Sequence, residues 1–137
     1  MKQEFSTKWK SSKQPRKQRK YRAKAPLHVK KKFLSVNLSK ELRKEHGKRN
    51  VVVRKGDTVK IMKGKFKKKS GKILEVDTKK SKVVVEGIQV KKADGSKANV
   101  KMQPSNLQIT SLNLDDKKRF KKLGEKVKVE KPKEEKK

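Results

Sequence analysis

The chain contains no cysteine, which excludes a disulfide framework and any thiolate-bound zinc. Apolar material is scarce: 29% of the 137 residues are hydrophobic and 4% are aromatic. That supply cannot bury most of the length, so a small core carrying long polar segments is expected. No long hydrophobic run occurs, and none follows Met1-Lys2-Gln3-Glu4-Phe5. Neither a signal peptide nor membrane insertion is therefore expected, and the chain reads as cytoplasmic. Acidic side chains are also few, 14 against 45 Lys plus Arg.

The resulting formal charge is +31. Such a load repels itself in a compact state and becomes tolerable when a polyanion supplies the counter-charge. Nucleic acid is the expected partner, bound in a salt-dependent way as condensed counterions are released. An anionic membrane fits less well, because no segment joins a broad apolar face to a basic one. The charge is spread unevenly. Residues 1–50 hold 18 basic and 3 acidic residues, 51–112 hold 16 and 5, and 113–137 hold 11 and 6. Apolar residues instead concentrate between Val51 and Leu114, where the core is expected.

Four segments follow. Residues 1–26 form a basic arm, interrupted by Pro15 and Pro26, in which Arg16 to Lys24 is expected to be extended or only transiently helical. Residues 27–50 carry short helices. Pro26 opens the first, and Ser39 N-caps Lys40–His46 before Gly47 closes it. Residues 51–112 switch to a period of two, with strands at 51–53, 58–62, 72–77, 82–86, 88–92, 97–101 and 107–110. Asp94-Gly95 marks a hairpin within 88–101. Residues 113–137 carry a short helix over 117–123, stopped by Gly124, and a flexible tail. Several short strands with tight turns point to a mostly β fold: a small SH3-like barrel with short flanking helices and an extended N-terminal arm.

The strongest functional signal is the turn after the first alternating strand. Lys63, Lys65, Lys67, Lys68, Lys69 and Lys72 crowd there with Ser70, around Gly64 and Gly71. Glycine lets backbone approach a ligand closely, so N–H groups and ammoniums can meet phosphates together. The spacing is not that of a nucleotide-binding loop, which ends in Gly-Lys-Ser/Thr within a βαβ unit. Phe66 is expected to anchor this turn on the core. Trp9 and Tyr21 have no local core to join and are candidates for stacking on bases. Only seven of the basic residues are arginine, five of them before position 50. Arginine grips phosphate bidentately, so geometric specificity is expected in the arm, with lysine elsewhere supplying affinity. His28 and His46 are far apart, with no acid cluster beside them. No metal, no cofactor and no catalytic group is expected.

Arg54-Lys55-Gly56-Asp57-Thr58-Val59-Lys60-Ile61, with Gly64, Phe66, Lys67, Gly71, Lys72, Ile73 and Val76, resembles a KOW motif. Lys13-Gln14-Pro15-Arg16-Lys17, Ala25-Pro26-Leu27-His28-Val29, Leu38-Ser39-Lys40-Glu41-Leu42-Arg43, Pro104-Ser105-Asn106-Leu107 and Leu112-Asn113-Leu114-Asp115 widen the likeness. Together they resemble the ribosomal large-subunit protein number twenty-four family, in its archaeal and eukaryotic branch. The lysine-rich composition leans to the archaeal side. The resemblance implies an SH3-like barrel on large-subunit ribosomal RNA near the polypeptide exit tunnel, bound early in assembly. It implies neighbouring ribosomal proteins and exit-tunnel-associated factors as partners, and no homo-oligomer.

By the same resemblance, Gly56, Gly64 and Gly71 are turn glycines, and Lys63, Lys65, Lys67 and Lys68 face RNA. The arm, with Arg16, Lys17, Arg19, Lys20, Arg22, Lys24, Lys30, Lys31 and Lys32, threads along it. One departure stands out. Where many KOW motifs have Lys-Gly after the aromatic position, this chain has Lys67-Lys68, so the turn must tolerate a side chain there. The alternative reading is a transient KOW-type transcription or translation factor, which ordinarily adds a second domain.

Overall fold

A computed structural model describes residues 5–116 and residue 119. Ten residues after Gln14, Pro15–Lys24, form helix α1, with Pro15 in its first turn. This corrects the expectation of an extended arm. Proline at the start of a helix costs no hydrogen bond, because that N–H has no intrahelical partner anyway. Helix α2 spans Leu27–Phe33 and α3 spans Lys40–His46. The caps of α3 are those its sequence specifies. The Ser39 hydroxyl accepts from the Leu42 N–H at 3.3 Å, and Gly47 ends the helix at φ 61°. Among the described residues no helix is long and apolar enough to cross a membrane.

Seven strands follow the chain: β1 Ser35–Leu38, β2 Asn50–Val52, β3 Thr58–Ile61, β4 Ser70–Asp77, β5 Lys82–Lys91, β6 Lys97–Met102 and β7 Leu107–Ser111. They join in the order β2-β1-β7-β3-β4-β5-β6. All neighbours are antiparallel except β1 and β7, which pair Asn37 with Gln108 and Leu38 with Ile109 in parallel. The SH3-like barrel expected from the sequence is not what forms. Closure requires the outermost strands to pair, and here β2 and β6 lie at opposite ends of the order. The result is a mixed α/β fold: an open seven-stranded sheet with three short helices. One cause lies outside the KOW segment. β1, a four-residue strand set between two helices, docks along β7 and brings β2 with it. The expectation of helices alone in 27–50 is corrected accordingly.

A second difference from the expected strands is the length of β5. The sequence places a break at Gly87, but the strand runs through it. Gly87 adopts φ 71°, and the pairing with β6 changes register between Val84 and Gln89 before resuming as far as Lys91 opposite Lys97. A left-handed glycine there makes a bulge, not an end.

The core is small, as composition requires. Leu34, Val36, Leu38, Val59, Ile61, Ile73, Val83, Val85, Leu107 and Ile109 are all essentially inaccessible. Each such side chain contributes roughly 1.5–3 kcal/mol by burial. Gly71 sits within β4, where a side chain has no room: a Cβ would lie 2.7 Å from the Glu86 carbonyl oxygen and 3.1 Å from a Val85 methyl. Gly71→Ala is therefore expected to destabilise the fold by about 1–3 kcal/mol, through forced backbone displacement. Chemical unfolding of the two proteins measures it.

Candidate nucleic-acid interface

The basic turn between β3 and β4 is held by its own backbone. Ile61 N–H donates to Lys69 O at 2.8 Å, and Lys68 N–H donates back to Ile61 O at 2.9 Å. Inside that pair, Lys67 N–H reaches Gly64 O at 3.0 Å and Lys69 N–H reaches Phe66 O at 3.2 Å. Phe66 packs against the core and fixes the turn to the sheet, and the Lys69 ammonium stands 5.6 Å from its ring centroid. Gly64 takes φ 92°.

The departure from the KOW pattern is resolved here: Lys68 itself takes φ 74°. A side chain in the left-handed region costs about 1–2 kcal/mol, partly offset because glycine loses more freedom on folding. Lys68→Gly is therefore expected to raise the unfolding free energy by about 0.5–1 kcal/mol, read from denaturant melts, while removing one charge from the turn. Lys63, Lys65, Lys67, Lys68 and Lys69 are exposed. Among the described residues none of them meets an acid within ion-pair distance. Lys72 follows Gly71 within β4.

The arm residues are carried by α1 and α2. Arg16, Lys17, Arg19, Lys20, Arg22 and Lys24 occupy six of ten positions of α1. Like charges three and four apart weaken an isolated helix by roughly 0.2–0.5 kcal/mol per pair, so α1 needs outside support. It gets some from its own chain. The Gln18 amide donates to Ser12 O at 2.6 Å, and Ala25, just past the helix, is buried. Tyr21 is not left without a core. Its ring lies 5.1 Å from Phe5 and 6.1 Å, edge-on, from Phe33. Lys30, Lys31 and Lys32 fill the last turn of α2, where the helix dipole favours cations. The Trp9 side chain and the helix expected over 117–123 lie outside the described residues.

Of the three turn glycines the resemblance implies, Gly56 and Gly64 have positive φ, while Gly71 lies in a strand. Gly56 opens a turn that Asp57 anchors. Asp57 is fully buried, and its carboxylate accepts from Arg54 N–H at 2.8 Å and Asn113 N–H at 2.9 Å. Arg119 meets it bidentately, at 2.6 and 2.7 Å. The same guanidinium also donates to Asn113 O at 2.9 Å and Val52 O at 3.4 Å. This cluster ties the chain after β7 to β2 and to the entry of β3. Nothing in the sequence links Asp57 to Arg119, 62 positions away.

The fold also gathers cations that the sequence left unselected. Arg22 and Lys30 share a cleft with Lys79 and Lys80 of the β4–β5 turn. Thr78-Lys79-Lys80-Ser81 is a basic turn between strands, the same signal that singled out residues 63–72, and could have been read that way. Lys31 belongs to a different cavity, beside Arg54 and Lys55.

Comparison with known sequences adds to this geometry. The profile of the family described as eukaryotic ribosomal proteins L26 and their archaeal L24 counterparts matches residues 12–126. Large ribosomal subunit protein uL24 of Methanocella arvoryzae is 49% identical over 116 residues, covering 85% of this chain and 94% of the relative. The protein of the same name from Methanothrix thermoacetophila is 49% identical over 110 residues, 80% and 95% of the two chains. That of Methanoculleus marisnigri is 50% identical over 113 residues, 82% and 93%.

Proposed function

We propose, from the premise that this chain belongs to the family of eukaryotic L26 and archaeal L24 ribosomal proteins, that its β3–β4 turn and its two N-terminal helices are the surfaces that grip large-subunit ribosomal RNA. Membership makes the chain a structural constituent of the large ribosomal subunit and not an enzyme. The observation that carries the assignment of surface is the turn itself. Five exposed lysines with no acid against them, among the described residues, ride on a backbone fixed at both ends. Such a group can neutralise several phosphates without an ordering cost in the main chain. The helices α1 and α2 add a second cationic element, in which arginine can hold phosphate oxygens in pairs.

Membership also supports a finer reading. The chain binds early in subunit assembly, sits near the polypeptide exit tunnel beside neighbouring ribosomal proteins, and enters the particle as a single copy. Crosslinking from positions 65 and 19 in intact particles tests the surfaces. Adducts to large-subunit RNA from both positions are expected, and adducts to protein alone would reject them. Retention on the subunit through a high-salt wash separates this reading from a transient KOW-type factor, which would elute.

A further inference from the structure

We infer that the cleft between α2, the β4–β5 turn and the 3-10 turn at Pro104–Asn106 receives a single nucleotide extruded from an RNA helix, its phosphate on the cationic rim and its ribose and base against the floor. The cleft has a volume of about 450 Å³, within the range of small-ligand pockets. Arg22, Lys30, Lys79 and Lys80 contribute to its lining, and among the described residues no carboxylate does. The acid closest in sequence, Asp77, is engaged elsewhere: it accepts from the Lys80 N–H at 2.9 Å and lies 3.7 Å from the Lys101 ammonium. The Lys30 ammonium reaches the Lys79 carbonyl at 3.3 Å, which fastens α2 to the β4–β5 turn and holds one cation in place. The cavity around Lys31 differs in this respect. Asp115 and Asp116 help to line it, and Asp116 pairs with Arg54.

The floor explains why the occupant is more than a phosphate. Phe33 and the buried Pro104 present carbon to the cleft, while Ser81 and Ser105 add hydroxyls that can donate or accept. Ser81 holds φ 53°, a left-handed conformation within the β4–β5 turn. A concave site with a cationic rim and an aromatic wall suits a splayed-out unit. A continuous duplex presents its bases stacked inward, where the wall cannot reach them. Aromatic stacking and a ribose 2′-hydroxyl contact are both available to such a unit.

This inference rests on the RNA-binding reading above, and the test separates the two. The full chain is titrated with a labelled RNA hairpin carrying one bulged nucleotide and with the same hairpin fully paired. The bulged RNA is expected to bind about tenfold more tightly, the size of one base-stacking contact. In Lys79→Gln/Lys80→Gln the preference is expected to fall to near unity. In Lys91→Gln/Lys92→Gln, which removes the same charge near the tip of the β5–β6 hairpin, both affinities fall together and the preference stays. Equal binding of the two RNAs by the unaltered chain, or a preference that survives Lys79→Gln/Lys80→Gln, overturns the cleft assignment and leaves the RNA reading standing. Failure to bind either RNA at moderate salt overturns the RNA reading itself.

Discussion

Arg119→Ala is expected to lower the unfolding free energy by about 3–5 kcal/mol, the usual result of stranding one member of a buried ion pair. Total stability of a domain this size is on the order of 5–15 kcal/mol, so the loss is a large share of it and should show as a marked fall in the unfolding midpoint. Arg119 is 4% exposed and Asp57 not at all. Without the guanidinium, the Asp57 carboxylate keeps two backbone N–H donors, from Arg54 and Asn113, but loses its counter-charge where water cannot replace it. Asp57→Ala is expected to be comparably damaging, since it orphans the guanidinium together with both N–H groups. The double variant should cost less than the two single losses added together, because each single one already breaks the same pair. Arg119→Lys should rescue little, because an ammonium cannot match both carboxylate oxygens at once. Urea unfolding of the unaltered chain and these variants measures the whole cycle. If Arg119→Ala lost less than about 1 kcal/mol, the pair would not be the clamp its geometry describes.

Lys65→Gln/Lys67→Gln/Lys68→Gln/Lys69→Gln should leave the fold intact and weaken RNA binding most at low salt. The logarithm of the binding constant falls with the logarithm of salt by about 0.9 per duplex phosphate neutralised, or about 0.7 on a single strand. If all four lysines touch duplex phosphates, the slope becomes shallower by up to about 3.6. The four side chains are exposed, and the hydrogen bonds that shape the turn run between backbone atoms, so glutamine removes charge without removing structure. A filter-binding series over salt concentration reads the slope directly. An unchanged slope in a folded variant would mean that these lysines are only a solvated face.

The charge, the absence of cysteine and the meagre apolar content already dictated a small core and a polyanionic partner, because both follow from composition without any knowledge of contacts. Local structure was equally legible where neighbours in sequence decide it. Ser39 and Gly47 cap α3, Lys91–Lys97 turns at Asp94-Gly95, and Phe66 anchors the basic turn. The larger departures from local expectation are non-local. β1 has only four residues, and its strand character comes from docking along β7, some seventy positions away. That docking, with β6 left at the far edge, opens what local periodicity had suggested was a closed barrel. Gly71 looked like a turn residue until Glu86 of the neighbouring strand showed why a side chain cannot stand there.

What the sequence alone determined, then, was the kind of molecule and the kind of partner: the number of charges and of apolar groups is fixed before the chain folds. What only tertiary structure decided was which charges meet. Lys79 and Lys80 join Arg22 and Lys30 around one cleft, and Arg119 crosses the fold to Asp57. Electrostatic interaction depends on distance and burial, and both are properties of the folded chain that residue order does not display.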